Sequence, residues 1–176
     1  MKKIHLLCAK DITRSLGYIK FTSDKTYACN GHIAAIIDTS EVLPDILTEG
    51  EDKYVLAADW ANAKAYNAVR FVREGNQVIC FDKKNLRTIF KLRDEEYTYP
   101  KLRDVFPTSF DGEINSIGIN HKNLNILCDA VGATHGVKLT FNTFNRAVKV
   151  DFISDHEYMP GIEAIIMPIV ANFNLN

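Results

Sequence analysis

Cys29 and His32 stand at C-x2-H spacing, which suits two ligands of one tetrahedral metal ion. No second pair of similar spacing completes such a site, so buried packing of Cys29 is the expectation. Asp94, Glu95 and Glu96 form a carboxylate run of the kind that assists a divalent cation. Hard cations need ligands converging from several segments, so a solvated strand end is the expected reading. The chain carries no G-x-S-x-G, no glycine-rich phosphate loop, no H-E-x-x-H and no paired-cysteine frame. A non-catalytic protein without metal or cofactor is expected. Charge offers a second chemistry. Lys64, His121 and Lys122 place positive charge on two expected helices, where it can meet a phosphate backbone. A denser cluster, Lys83, Lys84, Arg87, Lys91 and Arg93, falls in expected strands and decorates an exposed face or blunts an edge.

The elements that must position these residues are mostly strands. Residues 3–8 and 17–21 read as strands, with a turn at Ser23-Asp24-Lys25. Residues 26–29 and 32–37 flank Asn30-Gly31. An Asn-Gly pair between two apolar runs is the strongest short-range hairpin signal, because both residues tolerate positive φ. Acidic residues with Pro44 and Gly50 mark a connection over 41–52, after which a strand resumes at 54–56. Asp59 is placed to cap an alanine-rich helix over 60–67. Asn120 is placed to cap a second over 121–131, where Leu124, Leu127, Cys128 and Val131 recur at helical spacing and Gly132 follows.

Each helix is preceded by a strand and followed by three, at 69–73, 77–82 and 86–92 and again at 137–141, 147–153 and 162–168. The expected fold class is therefore α+β, with antiparallel sheets and two helices built from a repeated strand-helix-three-strand unit. Residues 1–52 form a strand-rich incomplete copy, 53–107 the first unit with its linker, and 108–176 the second. Within these bounds, 97–112 has no clear period and reads as a linker or surface loop. Sheets of this kind need their edges covered or continued by another chain, so a homo-oligomer is expected.

Composition limits the alternatives. With 176 residues, 47% apolar and 24% charged, the chain is long enough to bury a real core. Its 21 Lys+Arg against 22 Asp+Glu give a formal charge of -1, so any nucleic-acid contact must come from a local patch. The longest apolar stretches fall far short of the roughly 20 residues of a spanning helix. Lys10, Asp11 and Arg14 interrupt the N-terminal apolar run before a signal-peptide core forms. Four widely spaced cysteines read as reduced thiols. A soluble, cytoplasmic protein with no membrane partner is expected.

Three short motifs carry a family resemblance. Ala28-Cys29-Asn30-Gly31-His32-Ile33-Ala34 resembles the A-T-D-G-H-R-L-A signature of bacterial sliding clamps, the DNA polymerase III beta subunit. Tyr99-Pro100-Lys101-Leu102-Arg103-Asp104-Val105-Phe106-Pro107 resembles that family's Y-P-D-Y-R-R-V-x-P, and Ala164-Ile165-Ile166-Met167-Pro168-Ile169 its terminal V-V-M-P-M. Ile119-Asn120-His121-Lys122-Asn123-Leu124 is similar to the start of its last helix. In order and spacing they match the second half of a clamp subunit, over most of residues 26–170.

The resemblance implies a DNA-clamp-like fold and a processivity factor that tethers rather than catalyses. It implies an apolar pocket for peptide motifs of a DNA polymerase, clamp loader or repair protein. Gly31 and His32 would line one wall, Pro100 and Val105 the linker side, and Asn120, Ile166, Met167 and Pro168 the other. Lys64, His121 and Lys122 would face double-stranded DNA. Ile33 and Asp104 stand where the family has arginines, and Asn30 where it has an aspartate, so the pocket has lost cationic side chains. Residues 171–176 extend past the last motif, where the family ends almost at once. A family subunit also carries more helices than the two expected here, so ring closure would take more copies. The alternative is a monomeric adaptor or competitor that keeps the pocket without the ring.

Overall fold

Two tight turns fold the early part of the chain into a meander. In the computed structural model, which describes residues 2–11, 15–94, 98–106, 117–141, 147–155 and 157–169, β1 (Tyr18–Phe21), β2 (Lys25–Cys29) and β3 (Ile33–Asp38) run antiparallel. At the β2–β3 turn only Gly31 takes a positive φ, of +91°. Asn30 acts through its side chain instead, its amide oxygen accepting from the N–H groups of His32 at 2.9 Å and Ile33 at 3.1 Å.

β4 (Lys53–Leu56) pairs with β1 and leads into α1 (Ala57–Asn62). The helix expected over 60–67 is shifted and broken. It starts at Ala57, so Asp59 lies in its first turn rather than at its cap and reaches Arg93 at 3.4 Å. Lys64 then takes a left-handed conformation, φ +48°, before a 3-10 turn at Ala65–Asn67. Packing decides this outcome. Trp60 is fully buried against Phe21 and Phe90, with ring centroids 5.5 and 5.2 Å away. The break lets Ala63, Ala65 and Ala68 all reach the core.

β5 (Arg70–Glu74), β6 (Gln77–Phe81) and β7 (Arg87–Lys91) form a separate three-stranded antiparallel sheet. The linker contains a short helix, α2 (Leu102–Val105), and then α3 (His121–Val131) follows. α3 is capped as expected: the Asn120 side-chain oxygen accepts from the Lys122 N–H at 3.0 Å, and Gly132 closes the end at φ +77°. β8 (Gly136–Thr140), β9 (Val148–Ser154), β10 (Glu157–Tyr158) and β11 (Ile162–Ile166) complete the described chain.

The N-terminal meander and the C-terminal strands share one eight-stranded sheet, because β3 pairs antiparallel with β11 from Ile37↔Ile162 to Ile33↔Ile166. An isolated bridge between Tyr54 and Arg93 links this sheet to the end of β7. α1 and α3 pack on the same face of the large sheet, with Leu127, Ala130, Val131 and Trp60 over Ile19, Phe21, Ala35 and Val150. Between the helices sits residues 4–7, expected as part of a strand and found as a 3-10 turn, Ile4–Leu7. Ile4 and Leu7 are both fully buried. Residues three apart share a face of a 3-10 turn but point to opposite sides of a strand, so burying both together selects the turn.

A charged network ties the 41–52 connection to both sheets. Arg73 donates to both carboxylate oxygens of Glu51, at 2.6 and 2.8 Å, and to the Ile46 carbonyl at 3.1 Å. Lys53 pairs with Glu51 and Asp94, and Asp94 also accepts from Asn76. Asp94 is thus held by cationic and amide partners; Glu95 and Glu96 lie outside the described residues. All four cysteines are free, and burial pushes the Cys80 thiol up to about 11.

Candidate functional site

The face of the large sheet opposite α1 and α3 is set by strand alternation. Along β11, Ile162, Ala164 and Ile166 point into the helix-side core, so Glu163, Ile165 and then Met167 point the other way. The register continues this outer row across the sheet, Ile165 beside Ala34 and Ala34 beside Cys29. Residues 98–106 lie over it as a strap. The Tyr99 hydroxyl donates to the Tyr27 carbonyl at 3.1 Å, Leu102 is buried at 5% exposure, and Arg103 pairs with Glu163 at 2.6 Å.

Between the strap, the β2–β3 turn and Met167 is a cavity of about 130 Å³. Its floor is Cys29, Ala34 and Ile165. Leu16, Ile33, Leu102 and Met167 form its sides, and Gly31, His32, Pro100 and Val105 form an exposed rim. No Asp, Glu, Lys or Arg lines it, and His32 sits at the exposed turn. Cys29 is buried and its thiol is pushed up by desolvation, so it stays protonated at neutral pH; desolvation also raises the Tyr99 hydroxyl well above its ordinary range. Such an apolar slot has the chemistry to accept apolar side chains, and the Cys29 thiol among its described lining residues is not activated.

Of the pocket residues expected from sequence, the structure brings Gly31, His32, Pro100, Val105 and Met167 together at this slot. Three others lie elsewhere. Ile166 is fully buried in the helix-side core because its neighbours in β11 take the outer face. Asn120 is engaged as the cap of α3. Pro168 lies between Met167 and the bridge that Ile169 makes to Gly118 and does not line the cavity. Leu16, Cys29, Ile33, Ala34, Leu102 and Ile165 were missed as lining residues. Glu163 was the available signal, because a charged residue in an otherwise apolar strand marks the outer parity that Ile165 and Met167 share.

Lys64, His121 and Lys122 are exposed, Lys64 at the break after α1 and the other two in the first turn of α3. α1 and α3 also carry Asp59 and Asp129, so the two helices and their junction are close to neutral rather than strongly basic. Among the described residues no group of three or more His, Cys, Asp and Glu could hold a metal ion, and no helix is long and apolar enough to cross a membrane.

The arrangement has close parallels among solved structures. A Helicobacter pylori beta clamp in complex with carprofen superposes with a TM-score of 0.63 at 12% identity, over 96% of this chain and 63% of that one. The DNA polymerase III beta chain of Streptococcus pneumoniae gives 0.62 at 13% identity, over 96% and 62%. The DNA polymerase sliding clamp of Caulobacter crescentus gives 0.61 at 14%, over 97% and 65%. This chain has a sliding-clamp-like fold. β4, α1, β5, β6 and β7 follow the strand-helix-three-strand order expected from sequence, whereas among the described residues only an isolated bridge at Gly118 precedes α3 and four strands, β8 to β11, follow it. The clamp-like chain spans somewhat less than two thirds of the length of these clamps. No family model and no curated protein matches its sequence.

Proposed function

We propose that this clamp-like chain is a non-catalytic docking protein that receives short apolar peptide segments from polymerase, clamp-loader or repair partners. The observation that carries the reading is the convergence of Gly31, His32, Pro100, Val105 and Met167, from three separate segments, on one neutral slot. Met167 suits such a site because its flexible thioether can repack around different side chains. The test is fluorescence anisotropy with a labelled peptide copied from the C-terminal tail of a bacterial replicative polymerase. Met167→Ala is expected to weaken binding several-fold and Val105→Asp by tenfold or more, because a carboxylate on the rim must be desolvated when the slot fills. Lys2→Ala, remote from the slot, serves as control. Equal affinity in all variants, or none in the parent chain, overturns the reading.

DNA contact is a second reading, favoured by the placement of α1 and α3 on one side of the large sheet with Lys64, His121 and Lys122 exposed. With the helices near neutral, such contact would be weak and independent of sequence, and would need several copies around the duplex. A homo-oligomer then acts as a cytoplasmic processivity factor; a monomer acts as an adaptor. Light scattering after size exclusion separates the two, since a monomer at all concentrations removes the ring.

A further inference from the structure

The three-stranded sheet has one covered face and one open face. Phe71, Val78, Cys80 and Phe90 belong to the core, where Phe71 and Phe90 pack on Trp60. Strand alternation turns the intervening residues the other way, away from α1. The register sorts them into three rows across β5, β6 and β7: Arg70, Phe81 and Arg87, then Val72, Ile79 and Ile89, then Glu74, Gln77 and Lys91. Lys83 and Lys84 are exposed at the β6–β7 turn, beyond the first row.

This face is basic in a chain that is close to neutral. Lys2, Lys20, Lys25, Lys53, Arg73, Arg93, Arg103 and Lys149 each have a carboxylate partner. Among the described residues, Arg70, Lys83, Lys84, Arg87 and Lys91 are all exposed and none of them is ion-paired. Glu74 is the only carboxylate in the three rows. At the turn, the Asp82 carboxylate accepts from the backbone N–H groups of Lys84 and Leu86, both at 2.8 Å. The Arg70 guanidinium instead lies over the Phe81 ring, 4.0 Å from its centroid. Stacking orients the guanidinium plane, on which a second planar group can stack in turn.

Unpaired cations suit an anionic partner, and the apolar area decides which kind. A protein partner needs an apolar centre to bury. Here Ile79 is only 3% exposed and Val72 is half-buried, so Ile89 is the one exposed aliphatic side chain of the middle row. Charge and stacking must therefore supply the affinity. A duplex offers phosphates but keeps its base faces within its own stack, whereas a single strand offers both. We propose that a single strand of nucleic acid lies across this face, with phosphates on Arg87, Lys91 and the turn lysines and a base stacked on the Arg70 guanidinium. The surface shares no residue with the slot or with Lys64, His121 and Lys122, so it stands or falls apart from both readings above.

The test is anisotropy of a fluorescein-labelled twelve-nucleotide oligothymidylate with the full chain, between about 50 and 200 mM NaCl. With five cations engaged, the logarithm of affinity should fall against the logarithm of salt with a slope of about -3 to -4. Lys84→Gln with Arg87→Gln should flatten that slope by about 1.4. Arg70→Lys keeps the charge but loses the stacked plane, so it should weaken binding about fivefold or more with the slope unchanged. Phe81→Leu should act in the same direction, and Arg70→Lys, at an exposed position, carries the test if Phe81→Leu does not fold. Lys64→Gln with Lys122→Gln should change neither affinity nor slope. The proposal is overturned if the parent chain does not bind at the lowest salt, or if Arg70→Lys binds as the parent does. A duplex of the same length bound as tightly as the single strand also overturns it, because no base face is then used. Equal binding of a twelve-residue polyglutamate does so too, and would make the face a surface for acidic peptides.

Discussion

The backbone N–H of Met167 donates to the carbonyl of His32 at 2.8 Å. Met167 is the residue after β11 and His32 the residue before β3, so this bond extends the β3–β11 ladder one step beyond its last register pair, Ile33↔Ile166. It joins the two segments that flank the slot. The β2–β3 turn and the Met167 wall are therefore not independent loops, and a change that loosens the turn should be felt in the slot.

Asn30 gives the first prediction. Its side-chain oxygen accepts two backbone N–H groups of the turn, and alanine leaves both to water. Asn30→Ala should cost about 1 kcal/mol and lower the melting temperature by about 2–4 °C. Peptide affinity should fall several-fold, although Asn30 does not line the slot. Asn30→Asp keeps an acceptor oxygen and should restore most of both. Calorimetry with anisotropy checks this, and an Asn30→Ala chain with unaltered affinity would show the turn and slot to be uncoupled.

Gly161 gives the second. It sits at φ +71° immediately before β11, and a Cβ built there lies 2.4 Å from an Asp38 carboxylate oxygen and 3.0 Å from its Cγ. Turning the Asp38 carboxylate away would disturb its pairing with Lys25, while the Asp38 N–H donating to the Gly161 carbonyl at 3.0 Å holds the two backbones together. Gly161→Ala should therefore destabilise by about 1–3 kcal/mol through backbone strain and the close approach together. Urea unfolding measures it. At Gly31, where a Cβ meets nothing within 4 Å, only the backbone contribution applies and the same substitution should cost less.

The strap separates packing from charge. Leu102 is 5% exposed, while Arg103 is exposed and its partner Glu163 half-buried. Leu102→Ala should cost about 2–4 kcal/mol and enlarge the slot. Arg103→Ala should cost no more than about 1 kcal/mol, since exposed ion pairs contribute little. A larger loss for Arg103→Ala than for Leu102→Ala would mean that the ion pair, not the leucine, holds the strap down.

Much of this architecture is legible in the chain itself, and the failures have one cause. Asn30-Gly31 and the Asn120 cap are local devices whose partners lie within three residues, so sequence suffices to find them. The start of α1 and its break at Lys64 depend on Trp60 reaching Phe21 and Phe90 from other segments, which no local pattern encodes. Residues 4–7 were misread because an apolar run has no visible parity; only the requirement to bury Ile4 and Leu7 against both helices selects a 3-10 turn. The same ambiguity displaced the slot assignment by one residue, to Ile166 in place of Ile165, since both faces of β11 are covered and both isoleucines are buried. Motif similarity located the segments, and alternation decided which side chain of each reaches the slot.

Acid should destabilise this fold in two steps. The Arg73 guanidinium, with Thr48 donors, holds the Glu51 carboxyl well below its ordinary value of about 4.5. A carboxylate depressed in the folded state stabilises above its unfolded pKa, and that contribution is lost as pH falls below about 4.5. His5 is partly buried, stacked on Tyr66 at 5.1 Å, and desolvation together with nearby Lys3 lowers it from about 6.5. The unfolded chain then binds the imidazole proton more readily, so stability declines as pH drops below about 6.5 toward the folded pKa. The urea midpoint should thus begin to fall as the pH drops below about 6.5, toward the lowered His5 pKa, and fall further below about 4.5. His5→Phe, which keeps the stack, should flatten the first decline and leave the second; Glu51→Gln, less stable at neutral pH, should flatten the second alone. If His5→Phe retains the full first decline, its source is a different group, and the packing of Ile4–Leu7 between the helices is not what makes the fold sensitive to mild acid.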